Sequence, residues 1–198
     1  MRRSNKQQVF RDSNRLIKIK RFKIKMTKLN VGCGTVKKRG YVNTDINPKH
    51  HPDVIWDIRK RSTFSDEQFE EIHCDSVLEH VQDFRPVMIE FHRILKKGGK
   101  LRITVPYMTC PFWDIPSHVR PFAYFTFYHY WKGYKTNRET EDIGITFNNI
   151  KVRYVFGKRI QVWNHVIEYI ANLFPLIYET TGFKYLFPCW NIEVELTK

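Results

Sequence analysis

The stretch Leu29-Asn30-Val31-Gly32-Cys33-Gly34 decides the fold, because a short apolar strand runs there into two glycines separated by one residue. Glycine lets a backbone turn sharply and approach a ligand with no side chain in the way. Two-glycine turns also occur in many folds as plain tight turns. The residues that follow must therefore decide whether this loop binds a ligand.

Acidic residues follow at the ends of the next two predicted strands. Asp45 lies at the end of a strand over 41–46, and Asp57 directly follows one over 53–56. A carboxylate after the second strand can accept both hydroxyls of a ribose, and Asp57 can accept an adenine amino hydrogen. Each aspartate alone is also a common turn or capping residue. Together with the glycine loop, they predict a ligand site where three strand ends meet.

The next segments extend this pattern. The sequence predicts a strand over 69–74, a helix over 86–97 that ends in a basic turn and two glycines, and a strand over 101–105. Strands alternating with connecting segments predict a parallel sheet covered on both faces. The stretch between Gly34 and Asp45 is too short for a full helix plus a strand, so we expect only a turn there.

After Pro106 the composition changes to aromatics, prolines and histidines. We predict a loop and a short helix starting near Pro121, then a strand over 151–160, a helix over 163–174 and a final strand over 190–196.

Five segments in unbroken order now carry a resemblance: LNVGCG (29–34), GYVNTDI (40–46), DVIWDIR (53–59), FEEIHCDSVLEHV (69–81) and EFHRILKKGGKLRITVP (90–106). The chain resembles class I methyltransferases that use S-adenosylmethionine, in particular the type-11-like group. This resemblance implies an α/β, Rossmann-like three-layer sandwich. Its sheet would be seven-stranded and mostly parallel, with the last strand antiparallel. It also implies an enzyme whose cofactor is S-adenosylmethionine.

The resemblance also implies the cofactor-binding residues. The glycines approach the methionine moiety, Asp45 and its neighbour hold ribose and adenine, Asp57 and its neighbour frame the adenine, and residues 74–76 lie beneath the sulfonium. The full implied set is Asn30, Gly32, Cys33, Gly34, Asp45, Ile46, Asp57, Ile58, Cys74, Asp75 and Ser76. Relatives often carry an acidic residue in place of Asn30 and a histidine in place of Ser76.

Three residues are candidates for catalysis. Asp114 and His118 follow the fifth strand, where acceptor-binding groups usually lie in this fold, and either can take a proton from an acceptor. His80 is the third candidate, because histidine is the usual acid or base at neutral pH. Each also has a structural interpretation: an Asp–His or Asp–Arg bond can pin the loop, and His80 can orient the start of a helix.

Three further residues are candidates for binding the acceptor. Tyr107 and Trp113 belong to an aromatic segment that we expect to form a lid over the cofactor cleft. Arg120 can bind a carboxylate or phosphate of the acceptor. The aromatic residues also fit a simple core layer over the sheet.

Charge is concentrated at one end of the chain. The formal net charge is +14, and residues 1–28 hold eleven Lys or Arg and one acidic residue. We therefore divide the chain into a basic extension, residues 1–25, and a methyltransferase domain, residues 26–198, with an insertion at about 107–150. The extension can bind nucleic acid by phosphate neutralisation, or it is a solubilising terminus. Two classes of methyl acceptor stay open: a small molecule, or an anionic polymer such as RNA.

Cysteine usage and hydropathy indicate the cellular compartment. The four cysteines form no CxxC pair, so neither a disulfide framework nor a zinc module is predicted. A metal site built from His73, Cys74, His80 and His118 lacks regular ligand spacing, so we expect no metal. No apolar run is long enough to span a bilayer, and no apolar segment follows the basic start as in a secretory signal. A reduced, cytoplasmic setting fits best.

Two rival functions stay open. The first is a methyltransferase-like module without turnover that acts through its basic arm on RNA or a protein partner. The second is a nicotinamide-dependent oxidoreductase, which shares the glycine turn and the acidic residue. That second alternative is weakened because the loop has only two glycines and the Leu78-Glu79-His80 run fits it poorly.

Overall fold

Seven strands form one sheet in the order β3-β2-β1-β4-β5-β7-β6 in the computed structural model, which describes residues 27–135, 143–157 and 162–198. The strands are β1 (Lys28–Val31), β2 (Val42–Asp45), β3 (Val54–Ile55), β4 (Phe69–Asp75), β5 (Leu95–Pro106), β6 (Asn149–Val155) and β7 (Asn191–Thr197). The first five pair in parallel, and β7 is antiparallel to both β5 and β6. The predicted Rossmann-like class, with an antiparallel last strand, is confirmed.

Side chains alternate in burial over residues 100–105 of β5, which lies near the middle of the sheet. Leu101, Ile103 and Val105 are buried, whereas Lys100 and Arg102 between them are exposed. The neighbouring β7 alternates in the same way. Period-two alternation places one face of this half of the sheet on the core and leaves the other in contact with solvent. The prediction of a sheet covered on both faces is therefore wrong for this half, because β5 and β7 present charged side chains on the second face.

Within the described residues, four α-helices accompany the sheet: α1 (Arg85–Ile94), α2 (Asn164–Leu173), α3 (Pro175–Thr180) and α4 (Phe183–Leu186). Helix α1 begins with Pro86 in its first turn, where a missing N–H costs nothing. It buries Val87, Met88, Phe91 and Ile94 at helical spacing against the core.

The predicted end of this helix at residue 97 is wrong. Leu95 is already extended, with φ −82° and ψ 134°, and it pairs with Phe69 of β4. The pairing and the complete burial of Leu95 outweigh the helix-ending signal of the two lysines and two glycines. Gly98, at φ +74°, then supplies a backbone conformation inside β5 that other residues rarely adopt.

The expected loss of the first helix is confirmed. Residues 32–41, all of them described, contain turns and bends but no helix. The Cys33 N–H donates to the Thr44 carbonyl at 2.9 Å, so the chain after β1 is tied directly to β2.

The second half of the chain agrees with the sequence in part. The helix predicted over 163–174 and the final strand are confirmed, but the strand predicted over 151–160 spans Asn149–Val155. The helix expected near Pro121 is a 3-10 helix at Thr126–Tyr130, and helices α3 and α4 were missed. Residues 1–25 lie outside the described residues, so the predicted extension stays a prediction. Among the described ranges, no helix has the length and apolar character needed to cross a membrane.

We predict that Phe91→Ala lowers the free energy of unfolding by about 3–5 kcal/mol, because it empties a fully buried ring position beside Trp56. The matched control is Ile89→Ala on the same helix, which removes a side chain that is 41% exposed. It should cost less than about 1 kcal/mol. Urea unfolding of both variants measures the difference, and equal losses would contradict the assignment of α1's inner face.

Candidate cofactor site

A cavity of about 460 Å³ opens at the carboxyl edge of the sheet, where β1, β2, β3 and β4 end. Parallel strands bring their carboxyl ends to one edge, which is the usual ligand position in open α/β sheets. The residues lining the cavity are Gly32, Asp45, Ile46, Asn47, His50, Trp56, Asp57, Ile58, Arg59, Ser76, Val77, His80 and Val81.

Gly32 gives the loop after β1 its shape. Its φ is +64°, and a Cβ placed on it would lie 2.3 Å from Cγ2 of Val77. Gly34 also has a positive φ of +51°, but the space around its Cα is open. Only Gly32 is therefore required both by backbone conformation and by close approach, and it forms part of the cavity wall.

The Asp45 carboxylate ties this loop to the end of β2. Oδ2 accepts from the Gly34 N–H at 2.8 Å, and Oδ1 accepts from the Asn47 N–H at 2.8 Å. Nδ1 of His50 lies 3.2 Å from Oδ1. Burial raises the pKa of the Asp45 carboxyl, but the hydrogen bonds from Asn47 and Gly34 outweigh it and leave the pKa below its ordinary value. The group is thus an anion that holds the loop and faces the cavity.

The end of β3 supplies another wall of the cavity. Asp57 accepts from Nε of Arg59 at 2.8 Å and from its Nη2 at 2.9 Å. These hydrogen bonds lower the pKa of the Asp57 carboxyl. Ile46 and Ile58 add apolar surface from the ends of β2 and β3. Two aliphatic side chains and a carboxylate suit a flat, polar-edged ring such as a purine.

The end of β4 turns sharply into the cavity. Ser76 has a positive φ of +55°, its N–H donates to the Thr104 carbonyl, and its hydroxyl donates to Asp75 at 3.0 Å. The 3-10 helix Leu78–His80 follows directly and brings His80 to the cavity wall. His80 Nδ1 lies 2.9 Å from the Ser117 carbonyl oxygen, which can only accept, so Nδ1 carries the proton and Nε2 of the neutral ring is an acceptor.

Several predicted cofactor residues do not line the cavity. Asn30 is buried and donates from Nδ2 to Asn43 Oδ1 at 3.0 Å, so its polar group is used inside the sheet. Cys33 and Cys74 are buried, and burial raises the pKa of both thiols. Gly34 takes part through its N–H to Asp45 rather than as a wall. Asp75 is exposed beside Ser76.

Other wall residues were missed by the sequence reasoning. They are Asn47, His50, Trp56, Arg59, Val77 and Val81. All lie within a few residues of a predicted strand end, so strand position was the available signal. The sequence did not show which of them would turn inward.

The residues predicted to act on or bind the acceptor differ in their distance from the cavity wall. His118 packs against His80, with ring centroids 4.9 Å apart, and against Trp113 at 5.5 Å. Asp114 is exposed. Tyr107 is fully buried, and its hydroxyl donates to Glu179, so it lies in the core and outside the cavity wall. The structure therefore brings His80, His118 and Trp113 together.

Arg120 lies on the same loop. Its guanidinium is 4.6 Å from the centre of the Phe84 ring and donates from Nη1 to the Gln82 carbonyl at 3.2 Å. These contacts hold it against the protein surface, and it is half-buried.

The aromatic segment 107–131 mostly packs into the core. Phe122 and Phe127 stack at 5.5 Å and are fully buried, and Tyr124 and Tyr130 are buried with them. Contact with the cavity wall comes from the loop beside His80, where the Val119 N–H donates to the Glu79 carbonyl at 2.8 Å. The expected lid stays a prediction.

One group of side chains has the composition of a metal site. Ligand atoms of Glu79, His80 and His118 lie within 4.8 Å of one another. A tetrahedral site with bonds of about 2.1 Å needs ligand atoms about 3.4 Å apart, so these side chains would have to close in to hold zinc. Two further metal ligands considered from the sequence lie elsewhere. His73 contacts Lys38, and Cys74 is buried.

Comparison with known proteins now identifies the domain. Residues 29–103 match the family model described as a methyltransferase domain. This part of the chain is similar to a methyltransferase domain. The match covers the glycine loop, Asp45, Asp57 and the Leu78–His80 turn, and it confirms the resemblance to S-adenosylmethionine-dependent methyltransferases and their cofactor. No curated protein sequence matches the chain.

Solved structures agree on the fold. The chain is similar to an S-adenosylmethionine-dependent methyltransferase from Archaeoglobus fulgidus, with 15% identity, 92% of each chain covered and a TM-score of 0.58. It is also similar to one from Thermotoga maritima, with 14% identity, 86% of this chain and 81% of that chain covered, and a TM-score of 0.51. At these identities the likeness shows the fold alone.

The buried carboxyl of Glu79 leads to a pH prediction. Burial raises its pKa to about 7 from 4.5, and Oε2 has no hydrogen-bond partner in the described part of the chain. The folded protein therefore keeps a proton that the unfolded chain releases. The free energy of unfolding should fall as the pH rises from about 4.5 to about 7, by on the order of 3 kcal/mol.

Glu79→Gln mimics the protonated carboxyl and should remove this fall. Urea unfolding of both proteins between about pH 5 and pH 8 measures it. Parallel curves for the two proteins would show that Glu79 does not titrate in this range.

The glycine loop leads to a binding prediction. Gly32→Ala should weaken binding of S-adenosylhomocysteine at least tenfold, because the new Cβ collides with Val77 at the cavity wall. Gly98→Ala is the matched control, because Gly98 has a similar φ of +74° but open space around it. Isothermal titration calorimetry should find its affinity within about twofold of the unmodified protein. Equal effects of the two substitutions would mean that the loop is not part of the binding site.

Proposed function

We propose that this chain is an enzyme that transfers a methyl group from S-adenosylmethionine to an acceptor bound beside His80. The observation that carries the proposal is the cavity at the carboxyl edge, where Gly32, Asp45 and Ser76 share a wall with His80. A nucleotide-type cleft and a histidine with an available acceptor nitrogen meet there.

In this proposal different residues of the cavity wall bind different parts of the cofactor. The Asp45 carboxylate accepts hydrogen bonds from the ribose hydroxyls, and Ile46 and Ile58 hold the two faces of the adenine near Asp57. The backbone at Gly32, which forms part of the cavity wall, is where the methionine part approaches. When bound, S-adenosylmethionine supplies an activated methyl group on its sulfonium.

The chemistry asked of the protein is mainly positioning. Methyl transfer from a sulfonium is an in-line displacement, so the side chains must align the acceptor atom and exclude water. His80 is the residue that can take the acceptor proton at Nε2, because its Nδ1 proton is held on the Ser117 carbonyl. His118 packs against the His80 ring, and Trp113 packs against His118 in turn.

The only property we assign to the methyl acceptor is a negatively charged group. Arg120 uses Nη1 on the Gln82 carbonyl, and its other N–H groups are the donors we assign to an anionic group of the acceptor. RNA bound by residues 1–25 and a small anionic molecule both fit this assignment. None of the four cysteines forms a disulfide, in keeping with a reducing, cytoplasmic setting.

The test uses S-adenosylmethionine labelled on its methyl group, incubated with the protein and an extract separated into small-molecule, lipid, RNA and protein fractions. We expect the unmodified protein to label one fraction. His80→Asn should lower that rate by about 10²–10⁴-fold, with the affinity for S-adenosylhomocysteine within about twofold. His51→Asn, outside the cavity wall, should leave the rate unchanged. Cofactor binding without label in any fraction would overturn the proposal and favour the inactive binding module.

A further inference from the structure

The helices at the end of the chain expose an unusually apolar surface. We call the outward side of residues 162–187, which includes α2, α3 and α4, the apolar patch. Its large hydrophobic side chains are between 49% and 75% exposed. They are Val162, Trp163, Val166, Tyr169, Ile170, Leu173, Phe174, Leu176, Ile177, Phe183, Tyr185 and Leu186. Contiguous exposed apolar surface on this scale marks an interaction site.

Acidic groups of these helices are turned away from the patch. Glu168 is buried, and its carboxylate accepts from the Phe156 N–H at 3.0 Å and contacts Arg153 at 3.2 Å. The Glu179 carboxylate accepts from the Tyr154 hydroxyl at 2.8 Å, inside the fold. The outer surface of the segment therefore presents no carboxylate.

The charged side chain that remains at this surface is a cation. Lys184 donates to the Glu179 carbonyl, and its ammonium lies 5.5 Å from the centre of the Tyr185 ring. Trp163 and Tyr169 are exposed beside the aliphatic residues. Tryptophan, tyrosine and lysine around aliphatic side chains are the residue types that occupy the headgroup level of a bilayer.

An apolar slot lies within the patch. It has a volume of about 290 Å³ and is lined by Ile167, Ile170, Ala171, Phe174, Ile177, Tyr178, Phe183 and Phe187. The Tyr178 hydroxyl at the slot donates to the Phe187 carbonyl at 2.7 Å, so its polar group is already used. A hydrocarbon chain fits such a slot better than a hydrogen-bonding group does.

Two hydroxyl groups of the patch are already used within its helices. The Thr180 and Thr181 hydroxyls donate back to the Leu176 and Ile177 carbonyls, each at 2.7 Å. Protein interfaces carry about one hydrogen bond per 100–200 Å². A second copy of this chain would bring the same internally satisfied hydroxyls and the same cation.

These helices are also fixed to the sheet. Asn172 of α2 accepts from the Tyr154 N–H at 2.8 Å and donates to the Tyr154 carbonyl at 3.0 Å, so it pairs with the free edge of β6. Glu179 of α3 accepts from Tyr107, the residue that follows β5. The helices that carry the patch are thus attached both to the edge strand β6 and to the chain directly after β5.

We propose that the apolar patch is a docking surface for an anionic membrane, with α2, α3 and α4 lying at the headgroup level and acyl chains entering the slot. The helices are ten, six and four residues long. Helices of these lengths are too short to span a bilayer, which needs about 20 residues, so the proposal places them on its surface. At this surface the Lys184 ammonium has no opposing carboxylate among the described residues, so it complements anionic headgroups.

Cosedimentation of the full chain with vesicles tests the proposal. The vesicles are phosphatidylcholine with or without phosphatidylglycerol. The patch variant is Leu176→Glu with Leu186→Glu, at positions 60% and 73% exposed. The control is Ile55→Glu with Ile89→Glu, which changes charge equally at exposed positions outside the patch. Thermal unfolding verifies that all proteins are folded.

We expect the unmodified protein to bind vesicles containing phosphatidylglycerol. The patch variant should bind at least tenfold more weakly, and the control within about twofold of the unmodified protein. Brominated lipid should quench tryptophan emission, and Trp163→Phe should reduce that quenching.

Three results would overturn the proposal. The unmodified protein fails to bind, or both double variants lose affinity equally, which would assign binding to general charge. The third is a dimer in sedimentation velocity that the patch variant dissociates while vesicle binding is unchanged, which would assign the patch to a second copy. None of these readouts depends on methyl transfer.

Discussion

The hydrogen bond from the Gly34 N–H to the Asp45 carboxylate is the contact on which the site depends. It joins the loop after β1 to the end of β2, and the same carboxylate also accepts from the Asn47 N–H. A charged acceptor shared by two backbone donors is among the stronger hydrogen-bond arrangements in proteins. Asp45 therefore shapes the glycine loop before any ligand is bound, and it presents its charge to the cavity.

The strand order of the sheet explains why the Asp45 carboxylate can reach the glycine loop. Leu29 to Val31 pair in parallel with both β2 and β4, so the ends of three strands lie side by side. No helix follows the glycine loop within residues 32–41, which are all described, and the Cys33 N–H bonds directly to the Thr44 carbonyl. The loop is thus held by β2 itself.

The sequence predicted those parts of the fold and site that follow from backbone position. Gly32, Asp45 and Asp57 lie at or within two residues of a strand end, so the strand pattern placed them at one edge. The position of Ser76 was implied by the family resemblance. Side-chain direction was harder to predict. Asn30 lies one residue before the end of β1, and its side chain bonds to its cross-strand partner Asn43 on β2, which no local pattern reveals.

Long-range packing explains the other differences. Tyr107 was expected at the acceptor site, but its hydroxyl is held in the core by Glu179, a residue 72 positions later in the chain. Helix α1 ends before its glycines because Leu95 pairs with Phe69 of β4. The short helices α3 and α4 carry too few turns for periodicity to detect. In the first two cases a tertiary contact overrides a local signal, and in the third the local signal is too short.

The most direct test of the cofactor site is a crystal structure of the full chain with S-adenosylhomocysteine. The account predicts ribose hydroxyls within hydrogen-bond distance of the Asp45 carboxylate, the adenine between Ile46 and Ile58, and the sulfur on the side of Ser76 and His80. Ligand density elsewhere on the protein, with the Asp45 cavity empty, would contradict it.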